Sequence, residues 1–312
     1  GIATLQFLAD VFPLFRRHYR WLRRTQAGET EGTFYWRGTT DTHCLASGLD
    51  DFPRATHRSP QDRHLDLLSW MAFAAEILGR LAKLLLSSGN GALLRGASME
   101  NSASAADVAA FARDYTLYMA KMEEHWHEAD GTWYDIGIEG AKRNPETGRV
   151  HYATPSHVRH YGYVSLFPLL LQLLDPMSSA ADNVRLERTI TRLMEPHLLW
   201  SKYGLRSLSR VDQYFGVEED YWRGKIWINI NYLAIRALRK YSKEATGASF
   251  KVRALATKAH DALKQNIVRN LHKVYRRTGF VWENYSAKDG GGAGCHPFTG
   301  WSALVVAIMG GK

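Results

Sequence analysis

The chain has 312 residues, is 45% hydrophobic and 23% charged, and carries a formal net charge of +9. That length and apolar content support a large core, in one big domain or two small ones. The basic excess comes without zinc spacing, an RNA-binding signature or a homeodomain-like pattern, so no nucleic acid is expected as a partner. Cys44 and Cys295 make no disulfide framework, although one bridge between them stays open, and the longest apolar runs are too short to span a bilayer.

Residues 3–24 read as a helix, with Leu5, Leu8, Phe12 and Phe15 at helical spacing. Its cluster Arg16, Arg17, Arg20, Arg23 and Arg24 reads as a solvated face. The chain opens at Gly1, directly on this helix, and so is expected to be a piece of a longer protein. Residues 27–61 are loop-like, punctuated by Gly28, Gly32, Gly38, Gly48, Pro53 and Pro60, and ordered loops of that length are usually functional. At the heart of this loop Leu45–Ala55 places Asp50, Asp51 and Arg54 in a tight turn. Gly48 permits backbone angles that a β-carbon would oppose, and Pro53 blocks easy continuation into a helix. The bland alternative is that Asp51 and Arg54 pair and brace the turn.

Ser59-Pro60-Gln61-Asp62 has the chemistry of a helix start, and the spacing predicts a helix over 62–86. Leu68, Met71, Ala75, Leu78, Ala82 and Leu85 form one stripe, and Leu67, Trp70, Phe73, Ala74, Ile77 and Leu84 a second. A helix apolar on two faces is expected to be buried on two sides. After a second capping-box pattern, Ser104 to Asp107, a single stripe runs from Val108 to Trp126. Residues 127–156 read as loop. The alternation then repeats: 165–174 almost wholly apolar, 182–195 one stripe, a loop over 196–225, 226–242 apolar on more than one face, 249–276 one stripe, a loop over 277–298 and a last helix over 299–309.

Doubly buried helices alternating with singly buried ones predict an all-α fold, an inner ring of helices wrapped by an outer one. About eight helices stand against the twelve of a full (α/α)6 toroid, so the domain is expected to be incomplete at its amino-terminal side. An irregular helical domain is the alternative. In a toroid the loops 27–61, 196–225 and 277–298 share one mouth. Asp50 and Glu283 would then face each other across an aromatic funnel. Two opposed carboxylates in such a cleft suit glycoside hydrolysis, with inversion if a separation of roughly 6.5–9.5 Å leaves room for water. Burial and the neighbouring Asp51 would raise the pKa of Asp50 and favour it as the acid. The 10 Trp and 15 Tyr fit sugar stacking as well as core filling.

Other motifs read as structural. The Asn284-Tyr285-Ser286 sequon is expected to be buried and unused. His125-Trp126-His127 lacks a third ligand, so no metal is expected. Asp130-Gly131 with Asp135 has the wrong spacing for a calcium loop.

The runs LASGLDDFPRA, RHLDLLSWMA, YGYVSLFPLLL, YGLRSLS, YWRGKIWININYLAIRAL, GFVWENY and GCHPFTGWSALV extend from about Phe7 to Met309. Together they resemble the catalytic domain of glycoside hydrolase family 63, most closely its eukaryotic N-glycan-processing members. The resemblance implies an inverting exo-glucosidase that needs no cofactor. It would remove the terminal α-1,2-linked glucose from the triglucosylated N-glycan precursor on nascent glycoproteins in the endoplasmic reticulum. It implies Asp50 as acid, in the SG-x-D motif, and Glu283 as base, in W-E-x-Y. Trp222, Arg223 and Trp227 would line the glucose pocket, with Arg54, Trp301 and Tyr285 as further contacts. Lys225 departs from the small or apolar residue usual in its motif. The resemblance also implies parts outside this chain: a β-sandwich domain, a membrane anchor as the only membrane contact, and the first toroid hairpins. The piece alone is therefore expected to fold poorly or lack activity. A family member of other specificity and a non-catalytic carbohydrate-binding remnant are the alternatives.

Overall fold

The computed structural model describes residues 2–87, 102–143, 147 and 150–311. Among them are eight α-helices: α1 (Ile2–Thr25), α2 (Leu65–Ser87), α3 (Ala105–Met122), α4 (Tyr163–Leu170), α5 (Ala180–Leu193), α6 (Ile228–Arg239), α7 (Phe250–Thr278) and α8 (Leu304–Met309). The capping chemistry explains several of their ends. Ser104 Oγ accepts from the Asp107 N–H at 3.1 Å, and the Asp107 carboxylate takes the Ser104 N–H at 3.2 Å, which satisfies two otherwise orphaned donors at the start of α3. Ser179 and Ser249 cap α5 and α7. Gly279, at φ 77°, closes α7 in the left-handed conformation that favours glycine.

The helices form two rows. α2 packs on α4, α4 on α6 and α6 on α8, while α3 lies against α2, α5 against α4 and α7, and α7 against α6 and α8. Each sequential pair thus gives one helix to the inner row and one to the outer, the order that the alternating stripes predict. The core between the rows holds Leu68 and Met71 of α2, Leu166 of α4, Ile190 of α5 and Leu263 of α7, each at most 1% exposed. α1 extends the outer row beside α2.

The second apolar stripe of α2 is not buried as expected. Leu67 is buried, but Trp70, Ile77 and Leu84 are 37%, 38% and 44% exposed, and on the first helix Phe15 is 59% exposed. Among the described residues that side of the inner row is only partly covered, with Trp70 meeting Phe167 of α4 edge-on at 5.8 Å. α6, in contrast, is buried through Ile228, Ile230, Ala234 and Ile235, because α4, α7 and α8 surround it.

The basic face of α1 is not simply solvated. Arg16 and Arg20 both reach the buried Asp107, at 2.7 and 3.0 Å, and Arg23 lies 3.4 Å from Asp114, so the arginines form an ionic seam between α1 and α3.

The Ser59–Asp62 segment is a turn, not a helix start. The Ser59 N–H donates to Asp62 Oδ2 at 2.9 Å, but Arg63 exchanges backbone hydrogen bonds with Ile136 at 2.8 and 3.0 Å, which holds the chain extended. The helix begins at Leu65, where Asp135 Oδ1 takes the N–H at 2.7 Å; the capping carboxylate comes from far along the chain. Asp135 sits in the stretch expected to be loop, which contains short antiparallel pairs: Trp126–His127 with Thr132–Trp133, Asp135–Gly137 with Ser156–Val158, and Ala141–Arg143 with Val150–Tyr152. Strands of two or three residues are too short to show an alternating pattern.

Candidate active site

The Asp50 loop is shaped by a single 3-10 turn, Leu45–Ser47, closed by Gly48 at φ 71°. The Cys44 N–H then donates to Asp50 O at 2.7 Å, so the chain doubles back and presents the partly buried Asp50. Burial raises the Asp50 pKa above the usual carboxylate range. The Asp51 charge adds to this, His43 opposes it and Glu219 adds a further push.

Asp51 is 1% exposed and does not pair with Arg54. Its carboxylate accepts the backbone N–H groups of Tyr221 and Trp222, at 3.0 and 2.6 Å, and its carbonyl accepts from Arg223 Nε at 2.7 Å. Asp51 therefore clamps the YWRG loop onto the Asp50 loop. Arg54 instead binds Asp66 through two hydrogen bonds, of 3.1 and 2.7 Å, and Asp135 through one of 2.7 Å. The same charges that hold Arg54 thus tie the Asp50 loop to the first turn of α2 and to the strand that caps it.

Glu283 precedes the short pair Asn284–Tyr285 with Gly292–Ala293. Its N–H donates to Cys295 O, and the Cys295 N–H returns to Glu283 Oε2, each at 3.0 Å. The Tyr221 hydroxyl donates to Oε1. Burial raises the Tyr221 pKa, the hydrogen bond to Glu283 and the Glu283 charge raise it further, and Asp50 adds to the same shift. Both carboxylates therefore act on one phenol, although they lie far apart in sequence. Tyr221 was legible only as a member of its motif; no spacing singled it out.

The aromatic residues form the wall behind this pair. Trp222 and Trp227 stack with centroids 3.8 Å apart and planes 8° from parallel, and Tyr221 meets Trp227 edge-on at 4.6 Å. Trp222, Trp227 and Tyr285 are 3%, 0% and 0% exposed, so in this chain they back the site and present little surface to it. Tyr285 accepts the Trp282 N–H on its hydroxyl and exchanges backbone hydrogen bonds with Ile226. Arg223, also buried, braces Asp51 and Glu218. Trp301 is the partly exposed aromatic residue of the predicted set, and its Nε1 donates to Glu283 O at 2.6 Å. Arg54, as described, is held by two aspartates.

Both thiols are free, Cys44 buried and Cys295 exposed beside Glu283. The Asn284 side chain is 1% exposed. His125 is buried with Nδ1 2.7 Å from Tyr134 O, and Asp130 binds Arg159 through two bonds of 2.9 Å. Among the described residues no group of three or more His, Cys, Asp or Glu could hold a metal ion, and no helix is long and apolar enough to cross a membrane.

A sequence profile described as "Glycosyl hydrolase family 63 C-terminal domain" matches residues 2–311. The "Probable mannosyl-oligosaccharide glucosidase" of Schizosaccharomyces pombe is 37% identical, over 98% of this chain and 35% of its own. The "Mannosyl-oligosaccharide glucosidase" of Saccharomyces cerevisiae is 34% identical, over 99% of this chain and 36% of its own. The chain thus spans about a third of the length of these curated relatives. Among solved structures, an uncharacterized conserved protein from Thermus thermophilus aligns over 100% of this chain and 76% of its own, with a TM-score of 0.60 at 16% identity. The GH63 mannosylglycerate hydrolase from Thermus thermophilus, in complex with glucose, aligns over 82% and 50%, with a TM-score of 0.50 at 19% identity. At such identities the likeness is one of fold.

Proposed function

The chain belongs to glycosyl hydrolase family 63, and from that premise we propose that it carries the acid–base pair of an inverting exo-glucosidase acting on the N-glycan precursor. Asp50 donates a proton to the glycosidic oxygen of the terminal α-1,2-linked glucose. Glu283 takes a proton from water, which attacks the anomeric carbon from the opposite face, and the configuration inverts in one displacement. A raised pKa suits Asp50 to the acid role, because an acid must hold its proton until the leaving oxygen needs it. Glu283 receives an O–H and an N–H and is thereby oriented to accept a further proton.

The single observation that carries this reading is Tyr221, which binds Glu283 and feels the charge of Asp50 as well. The names of the relatives support a mannosyl-oligosaccharide substrate. On this reading the reaction belongs to N-glycan processing in the lumen of the endoplasmic reticulum. The glucose contact is the exposed edge of Trp301, with Trp227 packed against it, Trp222, Arg223 and Tyr285 behind, and Arg54 bracing the loop of Asp50. The two-row packing supports reading the helices as part of an (α/α)6 toroid, whose further hairpins cover Trp70, Ile77 and Leu84.

The test is turnover of the triglucosylated glycan by the full-length protein with Asp50→Asn and Glu283→Gln assayed separately, and the anomer of the released glucose followed by NMR. Each variant should lose at least ~10³-fold in kcat, and fresh product should be the β-anomer. Near-normal turnover in either variant, or an α-anomer, overturns the assignment.

A further inference from the structure

Behind the loop that carries Tyr221 lies a second cavity, of about 900 Å³. Lys202, Arg206, Arg210, Lys225 and Lys288 line it, against the single carboxylate of Asp220. We propose that this cavity is a binding site for a small organic anion that bears two or more phosphate or sulfate ester groups.

Arg206 is the strongest reason. It is 6% exposed, and its Nη1 donates to the carbonyls of Pro196, Leu198 and Trp200, at 3.1, 3.1 and 2.6 Å. Those bonds fix its direction but leave its charge unneutralised. Its Nε is buried without a hydrogen-bond partner. A buried guanidinium without a counter-charge is costly, and burial with the nearby Arg210 lowers its pKa to about 10. A ligand oxyanion in the cavity would supply the missing counter-charge.

The other cations point the same way. None of the five makes an ion pair among the described residues, beyond the easing of Asp220 by the Lys225 charge. Trp200, Tyr203 and Phe215 add apolar walls, and the volume far exceeds a lone inorganic ion. The lining also draws on two of the three site segments: Phe215, Asp220 and Gly224 flank Tyr221, and Ser286 to Lys288 follow Glu283. An occupant would therefore bridge the backs of the segments that carry Tyr221 and Glu283.

The experiment is calorimetric titration of the full-length protein with two probes, fructose 1,6-bisphosphate and a trisulfated heparin-type disaccharide, at low and at physiological salt. Saturable one-site binding of either probe, weakened by salt, is expected, and the better probe identifies the ester class. Arg210→Glu with Lys288→Glu, both exposed and outside the proposed reaction, should keep the melting temperature and weaken that probe at least ~10-fold. Arg206→Gln should abolish binding if it folds. No saturable binding of either probe, or equal binding by the folded double variant, overturns the proposal.

Discussion

The hydroxyl of Tyr221 donates to Glu283 Oε1 while the backbone N–H of Cys295 occupies Oε2, so the proposed base is gripped from two sides by different segments. Removal of the side-chain grip leaves the backbone one. Tyr221→Phe should therefore lower kcat by ~10–100-fold, from the loss of a charge-assisted hydrogen bond, with KM within about twofold. A rise in KM at constant kcat would show that the phenol binds sugar and does not position Glu283.

The proton on Asp50 is set by its surroundings, and two neighbours tune it in opposite directions. His43 lowers its pKa and Glu219 raises it. The alkaline limb of kcat/KM should track loss of the Asp50 proton. His43→Gln removes the group that lowers the Asp50 pKa and should move that limb to higher pH. Glu219→Gln removes a negative charge and should move it lower. Profiles that coincide with the parent, measured from about pH 4 to 9, would detach Asp50 from the acid role.

Among the described residues Arg54 is the one cation paired with both Asp66 and Asp135, in a site where all three side chains are at most 5% exposed. Arg54→Met leaves two buried carboxylates facing each other and should cost about 3–5 kcal/mol in denaturant unfolding. Arg54→Lys should recover only part of this, because one ammonium cannot reproduce the paired bonds to Asp66. A loss below about 1 kcal/mol for Met would mean that water replaces the guanidinium.

Burial raises the Asp62 pKa to about 6, with Asp135 adding to the shift and the Ser59 N–H opposing it. In the unfolded chain the group titrates near its ordinary value of 3.8. The folded state thus holds the proton more tightly, and this contribution to stability is present below about pH 4 and is lost as pH rises through about 6. Asp62→Asn should flatten the melting temperature over that interval and raise it at neutral pH. An unchanged pH slope in the variant would assign the slope to other groups.

The helices were legible because each depends on neighbours three and four residues apart. The stripes of α2, α5 and α7 and the Ser104–Asp107 box are local patterns, and local patterns survive in a one-dimensional string. The same holds for Gly48, whose place in a tight turn follows from its missing side chain. What the string could not supply was the choice among distant partners of like chemistry. Arg54 had Asp51 three residues away and took Asp66 and Asp135; Asp51 took the backbone of Tyr221 and Trp222. Ser59 and Asp62 had the right letters for a helix start, and a β-bridge to Ile136 moved that start to Leu65. Tyr221 became part of the site only once folding carried it to Glu283. Residue type and spacing decide which local conformations are cheap, whereas desolvation makes every buried charge and N–H find a partner, and only the packed chain determines which partner is within reach.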